Sequence, residues 1–272
     1  MTYARRQKTQ AGFSLLELMI AVVVFVAICG AMFGLLSVTQ KRYQTESQVL
    51  DSFQEARLGL DQIARDVSSA GYPPLNHFTA GNPPAASYAI SPVAWTPNYP
   101  AAGGCLIGTA GGGTCTTPND FDLIIESDYD GTGVVKWIRY RLPAGSTTLW
   151  RGFTNKVAGV DPVAATNAAG VMVPYIRNVM NNAPAAQIAQ IRAAYPLMFA
   201  GGNPQPIFQY ICDVPNAPPQ PCPTAPAGSN IPANVRDVAI RLIIQAQQRD
   251  AQTGVLRLVE LNGRGHRVNP NK

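Results

Sequence analysis

Histidine is nearly absent. The 272 residues contain two, His77 and His266, and neither stands in a Ser-His-Asp, Cys-His or zinc-ligand pattern. Both read as solvated side chains, His77 in a loop and His266 in a C-terminal tail. No pair of carboxylates stands out as an acid and a base either, so no enzymatic activity is expected. Charge is scarce as well, at 14% of residues. The formal net charge is +5, of which Arg5, Arg6 and Lys8 supply three, leaving +2 from residue 13 onward. So small a surplus excludes a nucleic-acid-binding reading. The glycine run Gly103, Gly104, Gly108, Gly111, Gly112 and Gly113 is followed by no Gly-Lys-Ser/Thr and preceded by no strand, which excludes a phosphate cradle and leaves a flexible loop.

The stretch most depleted in charge is also the most informative. From Leu18 to Val38 there are 21 residues without a charged side chain, which as a helix span about 31 Å, the thickness of a bilayer core. Just inside the N-terminal edge of this run lies Glu17, a carboxylate among Leu15, Leu16, Leu18 and Met19 where an ion needs a partner. Arg5, Arg6 and Lys8 precede it and favour a cytoplasmic N-terminus. The apolar run is too long for the core of a secretory signal peptide and no small-residue cleavage site ends it. An uncleaved signal anchor with an incidental glutamate is the plain alternative.

The order of these features, a basic leader ending in Gly12, then Phe13, Ser14, Leu15, Leu16, Glu17 and a long apolar helix, closely resembles the signal of type IV prepilins and type II secretion pseudopilins. In that family a membrane-embedded aspartic peptidase cuts after the glycine and methylates the new N-terminal residue. The resemblance implies a leader over residues 1–12, processing between Gly12 and Phe13, and an assembly role for Phe13 and Glu17, the latter as the fifth residue of the mature chain.

Beyond Val38 the helix continues without a breaker and becomes amphipathic. Val49, Phe53, Ala56, Leu60, Ile63, Val67 and Ala70 recur at alternating steps of four and three, while Lys41, Arg42, Glu46, Asp51, Glu55, Arg57, Asp61, Arg65 and Asp66 take the other faces. One helix is predicted from about Phe13 to Ala70, its membrane half at 13–38 and its amphipathic half at 39–70, with Gly71, Tyr72, Pro73 and Pro74 stopping it. The stripe calls for a covering partner, either a sheet of the same chain or, on the same spacing, a coiled-coil stalk. Gly30 and Gly34 form a small-xxx-small pair that either admits a close neighbouring helix or is merely tolerated.

Residues 71–272 form the globular part, about 200 residues and enough for one domain with its own core. Residues 71–118, rich in Pro, Gly and Ala, lack periodicity and read as a long surface loop. Strands are predicted at Asp120–Glu126 and Val135–Tyr140 around an Asp128-Tyr129-Asp130-Gly131-Thr132-Gly133 turn, at Thr148–Arg151, at Pro206–Asp213, at Val238–Ala246 and at Val255–Leu261. The region Val160–Gly202 is ambiguous, with helical propensity at Ala185–Ala194. The fold class that follows is α+β, a long N-terminal helix packed against an antiparallel meander. This is also the pilin-like fold.

Leu60–Val67 followed by Ala70-Gly71-Tyr72, the acidic turn before Trp137-Ile138-Arg139-Tyr140, and the closing strand Leu256–Gly263 resemble the PilW type of minor pilin. The resemblance implies an assembly subunit of a type IV pilus that helps initiate or cap the fibre. Its partners would be other minor pilins, the major pilin and the prepilin peptidase/N-methyltransferase. It would sit in the inner membrane with its globular domain in the periplasm. The J-type pseudopilin of type II secretion shares this plan, and a non-polymerising tethered adhesin would differ in keeping its leader.

Cys29 falls in the apolar run and reads as a small apolar residue. The other four cysteines lie in the exported part, where disulfides form, and allow three pairings. Cys105 with Cys115 and Cys212 with Cys222 are favoured, because each pair encloses nine residues of a Gly- or Pro-rich loop. Asp128 and Asp130, two residues apart before Gly131, admit a calcium ion as the only cofactor, although the further ligands of a calcium loop are missing and a plain hairpin turn fits the same residues.

Overall fold

The computed structural model describes residues 14–78, 82–101, 103–108, 114–249 and 254–268. It is α+β, with one long helix followed by two four-stranded antiparallel sheets. Helix α1 runs from Leu15 to Ser68, 54 residues, about 80 Å at 1.5 Å per residue. It ends where Ser69 caps onto the Arg65 carbonyl and Gly71 enters the left-handed region at φ 82°, a conformation that glycine adopts without a Cβ clash. The reversed chain is then caught at once, since Gly71 N–H donates to the Glu126 carbonyl at 2.8 Å and Ser127 Oγ donates to the Ser69 carbonyl at 3.0 Å.

The first sheet, in spatial order, comprises β1 (Asp122–Ser127), β2 (Lys136–Arg141), β3 (Leu149–Asn155) and, after the short helix α2 (Pro162–Thr166), β4 (Met172–Ile176). Helix α3 (Ala185–Ala194) leads to the second sheet, built from β5 (Phe208–Val214), β6 (Ala217–Pro221), β7 (Val235–Arg249) and β8 (Leu256–His266) in the order β6-β5-β7-β8. The sequence reads as a single meander. The chain forms two sheets, stitched where Met180 N–H donates to the Ile243 carbonyl and Gln245 N–H to the Asn178 carbonyl.

The predicted stripe is covered by the chain itself, which resolves the coiled-coil alternative. Ala56, Leu60, Ile63, Val67 and Ala70 are buried in one core with Leu123, Ile125, Ile138 and Tyr140 of the first sheet and Val238, Ile240, Leu242 and Ile244 of the second. The alternation of β7 divides its side chains between two layers: Leu242 and Ile244 join the core that holds the stripe, while Ile243 packs with Ile188 and Ile191 of α3.

Residues 71–118 correct the expectation of a surface loop. Ala89, Ser91, Val93, Ala94, Trp95, Cys105 and Ile107 are buried, and Ala94 packs on Ile124 and Trp137, on the face of the first sheet turned away from the main core. The described part of this segment is therefore a layer of the domain, and it explains why all six residues of β1 are buried. Its irregular backbone is satisfied by individual bonds, such as Ala94 N–H to the Ile124 carbonyl and Thr96 N–H to the Thr117 carbonyl.

How closely α1 lies on β8 is set by two glycines on one face of that strand. A Cβ at Gly263 would come within 2.6 Å of Leu60 Cδ2, and one at Gly265 within 2.4 Å of Val67 Cβ. Gly265→Ala is expected to force helix and strand apart and destabilise the domain by about 1–3 kcal/mol. In thermal unfolding this is a fall of several degrees, and an unchanged midpoint would show that the contact is not tight.

Candidate assembly interface

From Leu15 to Val38 the apolar side chains of α1 have no covering partner: Leu15 is 77% exposed and Phe33 72%. Among the described residues this is one helix long and apolar enough to cross a membrane. A Cβ at Gly30 or Gly34 would meet nothing within 4 Å, so their outer surface is open. Cys29 is a free thiol within this run. Glu17 lies in the first turn, and among the described residues no cation stands within ion-pair distance of it. Gly12 and Phe13, the expected processing pair, fall outside the described residues.

The lower half of the helix is fixed to the head by a polar tie that sequence patterning misplaced. Asp66, counted among the outward-facing charges, is 3% exposed. It accepts from Tyr140 Oη at 2.6 Å, from Arg151 Nη2 at 3.0 Å and from Gln62 Nε2 at 2.7 Å. Burial and then the adjacent Asp66 carboxylate push the Tyr140 phenol well above its ordinary range, so it stays a neutral donor. A carboxylate on the helix side of the sheet needs partners there, but nothing in its spacing reveals them.

A second buried acid holds the 71–118 layer. Glu126 and Lys156 are both buried and 3.3 Å apart. The carboxylate also accepts from Trp137 Nε1 at 3.0 Å, from Ile90 N–H at 2.8 Å and from the Tyr99 hydroxyl. Lys156 donates to the Tyr88 carbonyl at 2.9 Å. A third, Asp122, is held by both arms of Arg139, at 2.8 and 2.6 Å. All three acids are saturated by fixed donors, which suits ties between layers rather than proton transfer.

The candidate calcium residues are engaged in their own turn. Asp128 accepts from the amides of Thr132 at 3.0 Å and Gly133 at 2.9 Å, and Asp130 accepts from Thr132 Oγ1 and the Lys136 ammonium. This is the geometry of an Asx-stabilised hairpin turn. Among the described residues no group of three or more His, Cys, Asp or Glu could hold a metal. Cys105 is bonded to Cys115 and Cys212 to Cys222. Both histidines are exposed, as expected, although His266 belongs to a strand rather than a tail. His266 ends β8 and pairs with Asp237, which also binds Arg264, while His77 stacks edge-on with Tyr72 and Phe78. Burial alone would raise the Asp237 carboxyl, but Arg264 and His266 outweigh it and hold the group below its ordinary value.

Comparison with known families matches residues 7–33 to the prokaryotic N-terminal methylation motif. Comparisons with curated proteins and with solved structures gave no match. The matched stretch contains Gly12, Phe13 and Glu17 and ends inside the exposed run of α1. Such a motif implies processing by a prepilin peptidase and partners within a pilus-type system, and with the one apolar helix it fits an inner-membrane anchor. On an α+β pilin-like fold whose long helix leaves its first half uncovered, the chain carries the prepilin signal of type IV pilin-like proteins.

Proposed function

We propose that this chain is a minor pilin, a structural subunit that helps initiate or cap a type IV pilus. Residues 1–12 are its leader, 13–38 its membrane and fibre-core segment, 39–70 the amphipathic half of the helix, and 71–272 a periplasmic head. The observation that carries the reading is Glu17, an acid at the top of an uncovered apolar helix, one turn below the amine that cleavage after Gly12 would create at Phe13. In lipid a bare carboxylate is unfavourable by a few kcal/mol even on the lower estimates. A staggered neighbour's amine satisfies both charges at once, so the pair selects assembled over free subunits. The likeness to the PilW type supports the minor-pilin assignment; its three stretches fall at the end of α1, at the β1–β2 turn with β2, and on β8.

Glu17→Ala should leave the protein cleaved, inserted and folded but reduce its recovery with partner pilins at least about tenfold, the equivalent of 1.4 kcal/mol. Recovery at wild-type yield from the same membrane extract would overturn the role of Glu17. Deleting the chain should abolish surface fibres and spare type II secretion. The opposite pattern would assign a J-type pseudopilin instead.

A further inference from the structure

At the end of the head remote from the membrane half of α1, the β5–β6 turn, the start of β7 and the end of β8 enclose a cavity of about 580 Å³. Its place in the fold is fixed by Val268, which lines it and whose N–H donates to the carbonyl of Ser68, the last residue of α1, at 3.2 Å. Arg236, Arg267 and His266 line it, together with Asp213 and with Asn216 on the turn.

Arg267 is the unusual member. It is 5% exposed, yet among the described residues its five N–H donors find one acceptor, the Ala233 carbonyl at 3.4 Å, and Nε has none. A buried guanidinium ordinarily has a carboxylate or several carbonyls around it, because desolvating an unpaired charge is unfavourable by several kcal/mol. The nearby acids are already engaged. Asp213 pairs with Arg236 at 3.4 Å, and Asp237 is held by Arg264 and His266. Burial pulls the Arg267 guanidinium below its usual range, with Asp213 opposing. Among the side chains that line the cavity, two guanidinium groups, Arg236 and Arg267, face one carboxylate, Asp213, which is engaged with Arg236, so one guanidinium lacks a counter-charge.

We propose that this cavity binds a small organic monocarboxylate, its carboxylate received by Arg267 and Arg236 and its body held in the space beside Asn216. Guanidinium forks suit carboxylate and phosphate alike. The single missing charge, with Asp213 alongside, favours a monoanion over a phosphate dianion. The volume lies within the range of small-molecule sites and is far larger than a bare ion requires.

The test is calorimetric titration of the full-length chain in detergent with glucuronate and with N-acetylalanine, two monocarboxylates of different body, against glucose and inorganic phosphate. Saturable binding of at least one monocarboxylate is expected, with no binding of glucose and weaker binding of phosphate; the monocarboxylate that binds identifies the source as an acidic sugar or a peptide-like acid. Arg267→Met should weaken binding at least tenfold. Arg236→Gln, at a half-exposed position that folding tolerates, should weaken it several-fold with the melting temperature unchanged. Absence of binding by both monocarboxylates, equal binding of glucose, tighter binding of phosphate, or full affinity in the Arg236→Gln variant would each overturn the assignment.

Discussion

Gly12→Val should leave the chain at full length, with Arg5, Arg6 and Lys8 still attached, where the wild-type chain begins at an N-methylated Phe13. The residue before the cut has to pass close to the peptidase backbone, and a glycine presents no side chain there. A branched Cβ places two methyl groups at that point and stiffens the backbone toward extended geometries. The expected effect is nearly complete, because cleavage has no second glycine in register: the next, Gly30, lies deep in the apolar run. Intact-mass measurement of protein from membranes reads the outcome directly. Equal amounts of cleaved product from mutant and wild type would remove the basis for processing at this bond. The variant also separates two roles of the N-terminus. With the leader retained, Phe13 carries an amide instead of an amine, so Glu17 loses the cation proposed for it although its own side chain is untouched. Gly12→Val should therefore also reproduce the assembly loss of Glu17→Ala.

What was legible in the sequence is what depends on a single repeating pattern. The charge-free run and the four-three stripe place α1 to within two residues of its observed ends. Alternation places β1, β2, β7 and β8, because each of these strands packs at least one face into a core. The strands that escaped, β4 and β6, are edge strands, and both contain proline: Pro174 in β4, and Pro218, Pro219 and Pro221 in β6. Proline is tolerated at an edge because its missing N–H faces no ladder partner, so the edge position makes these segments possible and also erases their signature. The ties between layers were less legible still. Asp66 sits one residue from Val67 on a helix and looks outward by periodicity, and its burial follows from where Tyr140 and Arg151 arrive from the first sheet. The partners of Glu126 come from four separate segments, at Ile90 and Ser91, Tyr99, Trp137 and Lys156. No local pattern encodes such a convergence.

That convergence makes Glu126 the site in the head where one substitution should have the largest effect on stability. Glu126→Ala removes the acceptor for Tyr99, Trp137 and the Ile90 amide, and it leaves the Lys156 ammonium buried with no carboxylate. Removing one member of a buried pair typically destabilises by about 3–5 kcal/mol, which in a domain of this size lowers the melting temperature by roughly 10 °C. The 71–118 layer should loosen first, since Glu126 holds its backbone at residues 90 and 91, and Trp137 fluorescence would report the loss. Two further outcomes distinguish an unpaired charge from a simple cavity. Adding Lys156→Met should recover part of the stability, because the ammonium is then gone; a double mutant no better than the single would leave only the cavity as cause. The pH dependence should change as well. Burial already holds Lys156 below its unfolded value of 10.5, against the pull of Glu126, and without Glu126 it should fall further. Between the two values the unfolded chain binds more protons than the folded one, so stability rises with pH there. The penalty of Glu126→Ala should thus shrink as pH increases from neutral toward about 9.5. The comparison has to stop short of about pH 10, where tyrosines ionise in the unfolded chain, because Tyr140 and Tyr210 are held neutral by burial and a neighbouring acid in the folded state and stability then falls for a separate reason. A penalty independent of pH across the neutral-to-alkaline range would show that Lys156 is not the source of the instability.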